Sequence, residues 1–200
     1  MNTESPTKAR LLYLLRQKSL KLGEFTLASG QKSHYYFDSK FTTLNPEGAY
    51  LTAKLILETL ANASIEVDAI GGLTLGADPI VSAVAAVSYM EQQDYPALPA
   101  FIVRKQAKKH GTQRRLEGFC PGAGKRVVII DDVCTTGGST LEAVKSAEEF
   151  GCEVVAVLAL VDREQGGTQA LEGYRFIPLI TASELLDDPG IQDRIRELQT

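Results

Sequence analysis

RVVIIDDVCTTGGSTL, residues 126–141, decides the fold. Val127, Val128, Ile129 and Ile130 form an unbroken β-branched run. That predicts a strand buried on both faces in a parallel sheet, because a half-exposed strand would alternate apolar and polar residues. The run ends in Asp131 and Asp132, and Val133, Cys134, Thr135, Thr136, Gly137, Gly138 and Ser139 follow. Small hydroxyl and glycine residues let backbone N–H groups point outward. Leu141, Val144 and Ala147 then recur at helical spacing, so the unit reads as strand, anion-binding loop and helix N-terminus.

Such a loop offers partial positive charge, whereas two carboxylates beside it would repel a phosphate they touched. The expected ligand is therefore bipartite. Ribose 5-phosphate fits, with its phosphate on the N–H groups and its hydroxyls donating to Asp131 and Asp132. Helix capping alone would need one Asp or Ser, not two acids and six small residues.

Two hundred residues with 44% hydrophobic content suffice for one core. No apolar run approaches the ~20 residues that span a bilayer. The opening MNTESPTKARLL shows neither a signal-peptide core nor a lipidation motif, so a cytoplasmic protein is expected. Cys120, Cys134 and Cys152 lack Cys-x-x-Cys spacing and are expected as free thiols. The net charge of −4 gives no reason to expect nucleic acid, but residues 104–115 hold six Lys/Arg and no acid.

Ser5-Pro6 predicts a helix start, with leucines continuing the stripe to about Lys18. Residues 23–38 read as two short strands around a glycine-containing turn, and Asn45-Pro46-Glu47 starts a second helix. From Val67 strands and helices alternate, ending in a helical segment over residues 184–198. This predicts an α/β fold, a mainly parallel central sheet with helices on both faces and ligands at the carboxyl ends of the strands. One domain over 1–200 is expected, with a helix and hood or flap in about 1–45 and the α/β core in about 65–180.

DDVCTTGGST resembles the phosphoribosyl pyrophosphate (PRPP) signature of the type I phosphoribosyltransferases. It is not a Walker A loop, for Gly122, Gly124 and Lys125 have the wrong spacing and lead into a strand. RKQAKKHG, residues 104–111, is basic, contains glycine and is poor in apolar residues, which predicts a mobile loop suited to a polyanion. It also resembles the catalytic loop of the orotate phosphoribosyltransferases. The resemblance implies that Arg104, Lys105, Lys108 and His110 contact pyrophosphate, and that the loop serves the partner subunit of a homodimer. DREQGG, residues 162–167, resembles the segment whose arginine, here Arg163, holds the orotate carboxylate, and Thr135 matches an orotate contact. The flap over residues 25–37 resembles the element whose aromatic residues, here Tyr36 and Phe37, line the base site.

Two departures stand out: Ala28 replaces a lysine found in many members, and GGLTLGADP, residues 71–79, lacks a lysine that some members carry. Phosphoribosyl transfer needs no protein nucleophile, so positioning and leaving-group neutralisation carry the chemistry. The family's mechanism implies Asp131 and Asp132 at the ribose and its developing charge, residues 135–139 at the 5′-phosphate, and Lys108 or His110 as general acid. Mg²⁺ is implied as cofactor, held mainly through PRPP oxygens. A purine-type phosphoribosyltransferase would share the central motif but not the other three segments. A PRPP-sensing regulator would need a nucleic-acid surface, for which the acidic remainder of the chain offers little.

Overall fold

The computed structural model describes residues 5–26, 32–105, 115–119 and 121–199. Helix α1 (Pro6–Leu14) runs into a wide π-helical turn (Leu15–Ser19), and β1 (Leu20–Thr26) pairs antiparallel with β2 (Lys32–Phe37). Then come α2 (Lys40–Thr43), α3 (Pro46–Asn62), β3 (Ala69–Leu73), α4 (Asp78–Met90), β4 (Ala100–Val103) and β5 (Leu116–Gly118). The second half holds β6 (Arg126–Cys134), α5 (Gly138–Glu149), β7 (Glu153–Asp162), α6 (Gly167–Ala170), β8 (Phe176–Thr181), α7 (Ala182–Leu186) and α8 (Pro189–Gln199). The main sheet has the order β5-β4-β3-β6-β7-β8, parallel throughout except for β5 at one edge. This is the expected α/β architecture, and among the described residues no helix is long and apolar enough to cross a membrane.

The β-branched run of β6 explains the layering. Val128 and Ile130 face one core with Leu11 of α1, Leu15 of the π-helical turn, Ile56 of α3 and Val84 of α4. Val127 and Ile129 face the other core with Ala143, Val144 and Ala147 of α5. A strand sends successive side chains to opposite faces, so an apolar run without interruption requires helices on both sides.

Several local expectations change. Ser5 does not cap α1; its hydroxyl and that of Thr7 donate to Glu58 at 2.8 and 2.7 Å, which ties α1 to α3. The C-terminal helix is two helices, because Thr181 and Glu184 form a capping box for α7 and Pro189 opens α8. The short strand β5 lies inside what the sequence presents as the tail of a loop, paired to β4 through Phe101–Gly118 and Val103–Leu116. α1 belongs to the core, whereas the β1–β2 hairpin forms a separate sheet over it.

Stability should rest on the two cores and not on the surface ion pairs. Ile130 is 1% exposed, so Ile130→Ala should cost about 2–5 kcal/mol in urea unfolding. Removing the exposed Arg194–Glu197 pair of α8 with Arg194→Ala should cost under ~1 kcal/mol. Equal losses would contradict this ranking.

Candidate functional site at the switch point of the sheet

The chain moves outward from β3 to β4 in one direction and from β6 to β7 and β8 in the other. A crevice therefore opens between the carboxyl ends of β3 and β6, where open parallel sheets bind ligands. A cavity of about 780 Å³ lies there, lined by Thr74, Gly76 and Asp78 after β3, Arg104 and Lys105 after β4, and Asp132 on β6, among others.

Strand alternation separates the two adjacent carboxylates. Asp132 points toward the crevice, where Oδ2 accepts a 2.5 Å hydrogen bond from the fully buried Ser39 hydroxyl. Asp131 points the other way and accepts from Thr140 Oγ1 on α5. Burial pushes the Asp131 carboxyl up to about 6, against the opposing effect of the Thr140 hydrogen bond. Of the two acids read from the sequence, Asp132 lines the cavity and Asp131 does not.

The loop across the crevice is shaped by Asp132. A Cβ on Gly76 would stand 1.9 Å from Asp132 Oδ1, so no side chain fits there without moving the carboxylate. Thr74 Oγ1 donates to Asp78 Oδ2 at 2.7 Å, while Asp78 Oδ1 is buried without a partner.

After β6, Gly137 adopts φ +79°, a region that favours glycine, and hands the chain to α5. No side chain caps α5, which leaves the first-turn N–H groups for an external acceptor. Thr136, Gly138 and Ser139 are exposed, and Thr135 is half-buried. Val133 packs against the core and Cys134 is fully buried, so these two support the loop from beneath. Burial pushes the Cys134 thiol up to about 11.

Arg104 Nη1 meets Glu117 Oε1 at 2.6 Å on the cavity wall. The two ends of the basic segment are laced together: Arg104 N donates to Arg115 O at 2.8 Å, and Arg115 Nε donates to Arg104 O at 2.9 Å. Arg115 also pairs with Glu142 on α5. Lys108 and His110 lie outside the described residues.

Arg163 begins the turn after β7, and its N–H donates to Cys134 O at 2.8 Å, beside Thr135. The hairpin brings an aromatic residue to it, but not one of the expected pair. Phe37 is 8% exposed in the core and Tyr36 faces outward against Phe25, ring centres 5.7 Å apart. Tyr35 instead lies under the Arg163 guanidinium at 5.2 Å.

Ser39, Lys40, Asp78 and Tyr35 were not singled out by the sequence. Lys40 lines the cavity and pairs with Asp38 at 2.8 Å, a hydrogen bond that raises its ammonium above the ordinary range. No spacing rule links residues 39–40 to a strand some ninety positions later; only the charged step Asp38-Ser39-Lys40 directly after the flap hinted at a site.

The phosphoribosyl transferase domain model matches residues 43–193. A protein of Rhodopseudomonas palustris named orotate phosphoribosyltransferase is 46% identical over 190 residues, covering 92% of this chain and 99% of that protein. Two solved structures of Mycobacterium tuberculosis orotate phosphoribosyltransferase also match, each over 90% of this chain and 99% of its own. The complex with Fe(III) dicitrate has 38% identity and a TM-score of 0.77. The complex with PRPP has 34% identity and a TM-score of 0.73. With a phosphate-type loop, a carboxylate at the switch point and an arginine just past the next strand in place, the chain belongs to the phosphoribosyl transferase family, among the orotate phosphoribosyltransferases.

Proposed function

We propose that this protein transfers the ribose 5-phosphate group of PRPP to orotate, giving orotidine 5′-monophosphate and pyrophosphate in pyrimidine nucleotide synthesis. The observation that carries the reading is the adjacency of two half-sites, the residue 135–139 loop with Asp132 on β6 and Arg163 directly after β7, joined by the Arg163 N–H to Cys134 O hydrogen bond. The 5′-phosphate takes the uncapped N-terminus of α5, and Asp132 accepts from the ribose hydroxyls and faces the charge that develops on the ring. Asp131 backs the same strand end. Thr135 and Arg163 take the acceptor, with Arg163 on its carboxylate and Tyr36 as the exposed flap ring beside Phe37. A half-buried guanidinium whose Nε has no hydrogen-bond partner among the described residues favours an anionic acceptor over a purine.

Arg104 and Lys105, with Lys108 and His110 of the same segment, neutralise the leaving pyrophosphate, and Lys108 or His110 protonates it. Lys40 adds a cation to that wall. Among the described residues no group of three or more His, Cys, Asp or Glu could hold a metal. Single oxygens of Asp132 and the partnerless Asp78 Oδ1 nevertheless suit a Mg²⁺ held mainly by substrate oxygens. When bound, Mg²⁺ would offset charge on the leaving group. A homodimer in which the basic loop serves the partner's site is supported by exposed Phe41, Leu44, Tyr89 and Met90 on or beside α2 and α4, both of which pack on α3.

With Mg²⁺ and PRPP the protein should consume orotate, followed by loss of its absorbance, and should leave adenine, hypoxanthine and uracil untouched; turnover of a purine alone would refute the proposal. Gly76→Ala should push Asp132 aside and lower kcat/KM by about 10- to 100-fold with folding intact, the scale of an ångström of misplacement. Asp131 adds a pH dependence. Because its carboxyl is raised, its protonated form stabilises the free protein below about pH 4, and that contribution fades as pH rises through about 6. Urea-unfolding stability should therefore decline as pH rises from about 4 to about 6, and Asp131→Asn should flatten that decline.

A further inference from the structure

Arg163 is built as a clamp that awaits its anion. Its backbone is pinned by the hydrogen bond to Cys134 O, and its Nε is buried with no hydrogen-bond partner among the described residues. The acids beside it in the chain are already engaged. Asp162 Oδ1 accepts from Glu164 N at 2.9 Å. Glu164 Oε2 accepts from the backbone and hydroxyl of Ser183 at 2.7 and 2.6 Å. Among the described residues the guanidinium has no ion pair, and its carbon lies 5.2 Å from the centre of the Tyr35 ring.

Tyr35 is itself held firmly. It pairs with Leu22 across the hairpin, its carbonyl accepts from Ser33 Oγ at 2.7 Å, and its side chain packs against the core with that of Phe37. Tyr36, one residue on, faces the opposite way. A ring face presents the negative side of its quadrupole, which attracts a planar guanidinium and leaves the edge N–H groups free for a carboxylate. Among the described residues the Tyr35 hydroxyl makes no hydrogen bond, and it is the ring that faces the guanidinium.

We propose that Tyr35 is a positioning residue for the acceptor: by stacking under Arg163 it holds the guanidinium ready to bind the acceptor's carboxylate, and so sets acceptor affinity without touching PRPP. The inference rests on the reading of Arg163 as the carboxylate clamp. Tyr35→Phe should keep wild-type kinetics. Tyr35→Leu should raise the KM for orotate about three- to thirty-fold, the range expected for loss of such a contact. Its KM for PRPP and its kcat should change less than twofold, and adding Tyr35→Leu to Arg163→Gln should have no further effect. Because Tyr35→Leu could unfold the hairpin, the same position is also filled with phenylalanine bearing one, two and three fluorines, which keeps the shape while draining the ring face. The orotate KM should climb stepwise along that series. A flat fluorine series, or equal losses for both substrates in Tyr35→Leu, would overturn the role of Tyr35. If Arg163→Gln alone leaves the orotate KM unchanged, the clamp reading fails instead, whatever Tyr35 does.

Discussion

Asp132 and the backbone at residue 76 compete for one volume at the crevice between β3 and β6, and the site is arranged around that contact. The carboxylate stands where a Cβ would be, 1.9 Å from the ideal position on Gly76, and the Ser39 hydroxyl holds its other oxygen. Both partners come from outside β6, one from the loop after β3 and the other from the step between β2 and α2. A carboxylate fixed from two sides has little freedom to lose on meeting ligand hydroxyls, which is preorganisation in the ordinary catalytic sense. At residue 76 itself a lysine is excluded, since the space its Cβ would need is filled by the Asp132 carboxylate.

Charge around the crevice is organised as half-exposed ion pairs and as buried polar atoms that have no hydrogen-bond partner among the described residues. Arg104 with Glu117 and Lys40 with Asp38 are half-exposed pairs, and contacts of that kind contribute at most about 1 kcal/mol. Exchange for a polyphosphate therefore costs little. Asp78 Oδ1 and Arg163 Nε are different, because buried polar atoms without partners are unfavourable by about 1–3 kcal/mol each.

The sequence disclosed what depends on local pattern and concealed what depends on the meeting of distant segments. Val127 to Ile130 announced a doubly covered strand, and residues 135–139 announced an anion loop, because both signals lie within a dozen positions. Composition could not show that Asp131 and Asp132 would part. That follows only once β6 is known to continue in extended form through Cys134, past the end of its apolar run. Tyr35 was hidden for a related reason: choosing among three consecutive aromatic residues requires knowing which face of β2 meets Arg163, and that is set by the seating of the hairpin. β5 escaped because three residues at a sheet edge carry too little pattern to be read.

Cys134 has a consequence of another kind. It sits at the head of the phosphate-type loop, yet its sulfur is fully buried and its thiol is pushed up to about 11. At neutral pH only about one such thiol in ten thousand is ionised, and the thiolate is the form that oxidants and alkylating agents attack. Cys152, the other free cysteine among the described residues, is buried as well. The loop after β6 thus rests on a sulfur that is buried for its size and packing and held as the thiol at neutral pH.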